Sequence, residues 1–537
     1  MDCRTLLFSQ LPHQPKLFLQ FVERFSSVKE FYSHAPKMEA VRNVARKLKF
    51  PQERRAEVAS ALREQNTAFG AGEATFQNLA SLEEGAVAVV SGQQVGLFSG
   101  PAYAIYKALT AIQIADELSR EGIPAVPIFW MATEDHDLEE VRHSTWFEGG
   151  ELRRFELPLA SEAGMPVGRI PLGPQVAEMA REAGALLTGR GSELLARYLG
   201  ESYAPAETYG SAFGKLFARL FEEHGLILLD PLDPRLHRVA APLYRKAMEE
   251  RDALNEKLLE RAKELDKAGY EAQVRVTARS TLLFRMCGAV RQPVGVSNGK
   301  FMSGDKAWTR EELFCAVEAE SECFSPNALL RPVVQDYLLP TVAYIAGPAE
   351  ISYFAQAEVI YRHLLGRMPV ILPRSGFTVL DAKAEKILRR YGLKVEDAWA
   401  GSQELRRKME TSSVPKPLGK NLDKGVAQTD RMLAQLEKQI VRLDPTLAGA
   451  VETAQKKIAY QMEKLRRKAG KALDQKTGLI AGHEKFLESL LYPHKGLQSR
   501  ELCLLPFLAQ WGSGGLRELQ KLCGSKHLGG HKILRIP

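Results

Sequence analysis

Residues 86–101 read Ala86-Val87-Ala88-Val89-Val90-Ser91-Gly92-Gln93-Gln94-Val95-Gly96-Leu97-Phe98-Ser99-Gly100-Pro101. The first five form a continuous apolar run with three valines, the composition of a short strand buried on both faces. The loop that follows carries Gly92, Gly96 and Gly100 at intervals of four. Past Pro101 the apolar period lengthens: Ile105, Leu109, Ile112 and Ala115 share one helical stripe between Ala102 and Arg120, and Gly122 ends it. Pro124 to Ala132 is a second buried run. Strand, loop, helix and strand in this order make a right-handed crossover between parallel strands.

Further strands are expected at Leu226 to Asp230, Val342 to Ala346 and Pro369 to Pro373. Strands interleaved with helices over residues 80 to 380 predict an α/β fold: a Rossmann-like, mostly parallel, doubly wound core. Residues 1–80 read as a helical segment packed on that core, with Leu17, Phe18, Phe21, Val22 and Phe25 on one face. The core is expected in three pieces, 81–150, 206–269 and 326–390. Inserts are expected at 151–205, which is rich in glycine and proline, and at 270–325, which is rich in strand formers. From 428 to 475 the texture is Lys, Glu, Gln and Leu, and Leu433, Leu436, Ile440, Leu443, Leu447, Ala450 and Ala454 alternate spacings of three and four. Asp444-Pro445 interrupts this heptad stripe as an N-cap and a first helical residue do. Residues 391–500 therefore read as an antiparallel coiled-coil hairpin that dimerises, and 501–537 as a segment returning to the core.

A chain of 537 residues exceeds one hydrophobic core. Its apolar fraction of 45% and charged fraction of 26% are those of a globular protein. Net charge is 73 − 65 = +8, mildly basic and compatible with anionic small molecules. The six cysteines form no C-x-x-C pair. Without a signal-like N-terminus or a run of eighteen apolar residues, the expectation is a cytoplasmic protein with reduced thiols and no membrane partner.

Three constellations carry chemistry. The 91–101 loop offers Gly92, Gln93, Gln94, Gly96 and Gly100, with Lys107 on the following helix, as a cradle for an anion at a helix N-terminus; the plain reading is a tight strand–helix turn. Thr133-Glu134-Asp135-His136-Asp137 ends the second strand, where ligands bind in open α/β sheets. Glu134, Asp135, His136 and Asp137 there suit a general base for an amine, a Mg²⁺ site beside nucleotide phosphates, or a transition-metal site; the plain reading is an acid-rich helix start. His136 and His143 would share a face if that segment were helical. Far along the chain, Arg331, Gln335, Gly347 and Glu350 repeat a strand–loop–helix start, with Arg331 suited to a carboxylate or phosphate or simply paired to Asp336. The basic run Lys456, Lys457, Lys464, Arg466, Arg467, Lys468 and Lys471 is a solvated face or an arm for RNA or a membrane surface.

The 91–101 loop, Phe129-Trp130-Met131-Ala132-Thr133-Glu134-Asp135-His136-Asp137, Arg331-Pro332 to Glu350, and Tyr492-Pro493-His494-Lys495-Gly496-Leu497-Gln498-Ser499-Arg500 together resemble the cysteine ligase family of bacillithiol biosynthesis, BshC. That family's last stretch usually reads Gln-Glu-Arg; here Ser499 replaces the acid. The resemblance implies connecting-peptide inserts, a coiled-coil homodimer and addition of L-cysteine to glucosamine-malate as an amide. ATP, with Mg²⁺, is the expected cosubstrate, and no tightly bound metal and no nucleic acid are expected. Within that resemblance, Asp135, His136 and Asp137 are the catalytic candidates. Gly92, Gln93, Gln94, Gly96, Gly100, Lys107, Glu134, Arg331, Gln335, Gly347 and Glu350 are the binding candidates. The rival readings are a nucleotide-binding scaffold with a basic arm for RNA or protein, and a metal-dependent hydrolase using Glu134, Asp135 and His136.

Overall fold

The computed structural model describes residues 3–158, 164–512 and 514–536, and of Lys476 and Thr477 the backbone alone. At its centre lies a five-stranded sheet. In chain order it is built from strand β1 (Val87–Gln93), helix α1 (Ala102–Arg120), strand β2 (Ala125–Met131), strand β3 (Ile227–Leu229), helices α2 (Pro234–Glu249) and α3 (Arg331–Leu338), strand β4 (Thr341–Ala346), helix α4 (Pro348–Leu364) and strand β5 (Val370–Pro373). The spatial order is β5-β4-β1-β2-β3, every pair parallel. Strand order reverses between β1 and β4, so their carboxyl ends flank the crevice where ligands bind in such sheets. The expected doubly wound core is thus present.

The strands are apolar throughout because both faces are covered. Along β1, Ala88 and Val90 pack into one helical layer, and Val87 and Val89 into the other. Around this core stand three further sheets. Residues 280–326 form an antiparallel sheet of Ser280–Cys287, Val290–Ser297, Lys300–Ser303, Lys306–Trp308 and Phe324–Pro326. His143–Glu148 and Glu151–Glu156 form a hairpin. Cys3–Leu6 pairs with His531–Arg535, which pairs with Gly376–Leu380. Two expectations change here. The first residues are a strand rather than part of a helical segment, and Gly376–Leu380 leaves the central sheet for one built from the two chain ends.

Helices α5 (Lys416–Leu443) and α6 (Ala448–Thr477) form the hairpin. The Asp444 side chain accepts the Thr446 N–H at 2.8 Å and turns the chain, as Asp444-Pro445 suggests. The hairpin is fixed at its base: Arg406 bonds Asp474 at 3.0 Å, and Gly470 lies against the Glu410 backbone. Toward its tip the heptad residues face solvent, Leu443 being 86% exposed and Leu436 40%. In the basic run, Arg466 pairs with Asp423 and Glu463, and Lys456 with Glu452. Among the described residues no helix is long and apolar enough to cross a membrane.

Candidate functional site

The loop after β1 is held by packing. Gly92 lies so close to the neighbouring strand that a Cβ would stand 2.6 Å from the Trp130 carbonyl oxygen. Gly96 and Gly100 touch each other: a Cβ on Gly96 would meet the Gly100 Cα at 2.7 Å, and Gly100 has φ +67°. Their spacing of four serves this backbone contact and not a ligand. Between them Phe98 and Ser99 take left-handed backbone, φ 51° and 75°, a strained state for such residues. Phe98 is fully buried against Trp146, Phe155 and Tyr203, centroids 4.9 to 6.1 Å away, which holds the strain. The α1 N-terminus is also occupied, since the Ala102 N–H donates to the Leu502 carbonyl. Gly96, Gly100 and the Ala102 N–H of the expected cradle are thus engaged by the fold itself.

Lys107 is not a free cation. Its side chain is 2% exposed and pairs with Glu350. It also donates to the Gly92 carbonyl at 2.7 Å and to Gln93 Oε1 at 3.0 Å. Glu350 in turn accepts the Gly347 N–H and the Tyr344 hydroxyl, each at 2.7 Å. Burial works against the Glu350 charge, but Lys107 and these donors outweigh it and hold the carboxyl below its usual range. The network joins β1 and α1 to β4 and α4 across the switch point.

Above it opens a cavity of about 700 Å³. One wall comes from the core: Gly92, Gln93, Gln94, Trp130 and Tyr344. Arg331 reaches into it from α3, bonded to Gln335 at 3.1 Å, Tyr353 at 3.3 Å and Tyr344 at 3.4 Å. It makes no pair with Asp336, which bonds Gln335 and Tyr361 instead. The facing wall comes from the 274–295 insert and brings Arg275, Arg279 and Arg291. Arg291 lies 4.1 Å over the Phe284 ring and donates to Ser325 Oγ at 2.8 Å and the Pro326 carbonyl at 2.6 Å. None of these four arginines makes an ion pair within 4.0 Å among the described residues; Glu134 and Asp135 act on Arg291, and Glu350 on Arg331, only at longer range.

The acidic end of β2 divides. Asp135 and Glu140 accept from Gln94 Nε2 at 2.8 and 2.6 Å. His136 sits at the mouth, its ring 6.3 Å from Phe284. Asp137 caps the short helix Leu138–Val141 by accepting the Glu140 N–H. That helix ends before His143, which opens a strand, so His136 and His143 do not share a helical face. Glu134 goes inward. It is 7% exposed, lines the cavity, and its Oε1 has no hydrogen-bond partner. Burial lifts this carboxyl to about 7. Behind it His237 Nε2 lies 3.4 Å away, and Tyr244 OH contacts His237 Nδ1 at 3.3 Å. Burial lowers His237 to about 4, so the ring is neutral. Among the described residues no group of three or more His, Cys, Asp or Glu side chains is arranged to hold a metal.

Eight predicted residues therefore line one cavity: Gly92, Gln93, Gln94, Glu134, Asp135, His136, Arg331 and Glu350. Gly96, Gly100, Lys107, Gln335 and Gly347 support it from behind, and Asp137 is a helix cap. Arg291, His237, Tyr344 and Tyr353 were not legible as site residues. Tyr344 and Tyr353 flank motifs already singled out, whereas Arg291 and His237 carry no local signal.

Residues 1–375 match the family described as bacillithiol biosynthesis BshC, N-terminal Rossmann-like domain, and residues 377–536 match its C-terminal coiled-coil domain. The chain is 39% identical over 539 residues to a protein of Koribacter versatilis named as a cysteine ligase, BshC, covering 100% of this chain and 99% of that one. A protein of the same name from Solibacter usitatus is 39% identical over 95% of this chain and 96% of its own. One from Salinibacter ruber is 31% identical over 94% of each. With both domain families matched end to end around this cavity, the chain belongs to the BshC family of bacillithiol biosynthesis.

Proposed function

We propose that the protein joins L-cysteine to the amino group of glucosamine-malate through an amide bond, with ATP as the activating cosubstrate. The observation that carries this reading is the switch-point cavity itself, with guanidinium groups on the insert wall and a buried carboxylate on the core side. Arg275, Arg279, Arg291 and Arg331 suit the malyl carboxylates or nucleotide phosphates, since guanidinium presents paired donors to such groups. A polyanion fits that wall because its guanidinium groups make no direct ion pair with the protein's own carboxylates among the described residues. ATP supplies activation of the cysteine carboxyl. Gln93 and Gln94 offer neutral donors and acceptors at the cavity floor, and the Glu134–Asp135–His136 end suits an amine.

The hairpin tip supports a second element of the reading, a homodimer. Leu436, Leu443 and Leu447 form an exposed apolar stripe of the kind a partner helix covers.

The direct test incubates the purified protein with L-cysteine, glucosamine-malate and ATP–Mg²⁺. A product whose mass equals the two substrates joined with loss of water is expected; its absence at any pH between 6 and 9 rejects the reading. Comparing ADP with AMP in the same mixture identifies the activated form.

A further inference from the structure

Resting on the ligase reading, we propose that Glu134, not His136, is the general base that takes the proton from the attacking amine. In that step the amine nitrogen attacks the activated cysteine carbonyl, the C–N bond forms, the C–O bond to the phosphate leaving group breaks, and one proton passes from nitrogen to the Glu134 carboxylate.

The geometry separates the candidates. Asp135 already accepts Gln94 Nε2 at 2.8 Å and the His136 N–H at 2.7 Å, and Asp137 is committed to capping a helix. His136 stands at the solvent-facing rim with 43% of its side chain exposed, where water competes for the proton. Glu134 lines the cavity with a side chain 9% exposed and, among the described residues, no cation or amide donor bonded to it; its Oε1 turns toward His237, whose Nε2 lies 3.4 Å away. A buried carboxylate with so few donors is costly to ionise, which keeps it ready to take a proton from an amine in the cavity.

The surroundings set its basicity. From the core, Asp230, bonded to Thr133, adds like charge. From the insert and α3, Arg291 and Arg331 oppose burial, and Arg169 adds a weaker pull in the same direction. On α2, His237 is neutral and Tyr244 is buried behind it. The resulting carboxyl titrates at about 7, the range in which a general base is both ionised and basic enough to work. His237, next to Oε1, is a positioning residue.

The experiment measures amide formation from L-cysteine, glucosamine-malate and ATP–Mg²⁺ between pH 5.5 and 9. The wild-type kcat is expected to rise with pH through one ionisation near 7. E134Q is expected to lose about 10²- to 10⁴-fold in kcat with KM changed far less, and to lose that ionisation; H136A is expected to keep it. Far-ultraviolet circular dichroism establishes that E134Q is folded. Wild-type-minus-E134Q infrared difference spectra, recorded on the protein alone, are expected to show a carboxyl titrating near 7. An E134Q kcat within about threefold of wild type overturns the proposal, as does a Glu134 carboxyl that titrates in the ordinary carboxylate range. Failure of the wild type to form any amide rejects the ligase reading instead.

Discussion

Replacing Lys107 by Met removes the cation that pairs with Glu350 across the switch point below the cavity. Breaking a buried pair from one side costs about 3–5 kcal/mol, because the abandoned charge stays in low dielectric. The structure argues for the lower end of that range. Glu350 retains the Gly347 N–H and the Tyr344 hydroxyl, each at 2.7 Å, so K107M should cost about 3 kcal/mol. E350Q leaves Lys107 with the Gly92 carbonyl and Gln93 Oε1 and should cost about 2–4 kcal/mol. In K107M/E350Q neither charge remains. The double variant should then be about 1.5–3 kcal/mol less destabilised than the sum of the singles. Equilibrium urea unfolding of the four proteins measures this coupling. If the single effects add to within about 0.5 kcal/mol, the two residues do not interact as a pair, and Lys107 returns to being a candidate substrate contact. The pair also predicts an acid limb. Glu350 is held below its ordinary value, so its contribution is present above the unfolded carboxyl pKa and is lost as pH falls through the depressed folded value.

Glu134 has the opposite sign. Its carboxyl rises from 4.5 to about 7, so ionising it in the folded state costs stability that grows between those values and stays constant above them, about 3 kcal/mol in all. E134Q should therefore be more stable than wild type at pH 8 and equal to it near pH 4 by thermal melting; equal melting at pH 8 rejects the burial argument. Gly92→Ala places a methyl 2.6 Å from the Trp130 carbonyl and should cost about 1–3 kcal/mol by overpacking; an unchanged unfolding midpoint would show that β1 and β2 can separate there. L443E alters a side chain that is 86% exposed. It should change monomer stability by less than about 0.5 kcal/mol while shifting sedimentation from dimer toward monomer, and an unchanged sedimentation coefficient excludes the hairpin tip as the interface.

The elements with a strong local signature were legible in the chain. Buried parallel strands announce themselves as unbroken apolar runs, and all five stand where Val87, Ala125, Ile227, Thr341 and Val370 begin them. The hairpin turn was readable because Asp444 acts on a residue two positions away. The site was only half readable. Its core wall follows from strand ends, a local property. Its other wall comes from 274–295, which a different part of the chain swings over the crevice. Lys107 was visible as a cation near a glycine loop, but its partner Glu350 sits on the other half of the fold. The Gly96–Gly100 spacing was ambiguous in kind, since close approach of backbone to ligand and of backbone to backbone demand the same residue.

The starts of α1 and α4 beside the cavity are partly engaged by the fold itself. In many doubly wound folds the N–H groups after the first and fourth strands hold phosphate directly. Here the Gly347 N–H is taken by Glu350, and the Ala102 N–H by Leu502. The first is a capping bond within α4, and the second ties the start of α1 to the C-terminal segment. Among the described residues the cavity's arginines number four, and three of them come from the insert. The carboxylates at the crevice, Glu134, Asp135 and Glu350, come from the core. Binding charge and proton-accepting charge thus reside on separate walls. An amine with an acidic tail has one orientation that satisfies both, with its carboxylates toward Arg275, Arg279 and Arg291 and its nitrogen toward Glu134.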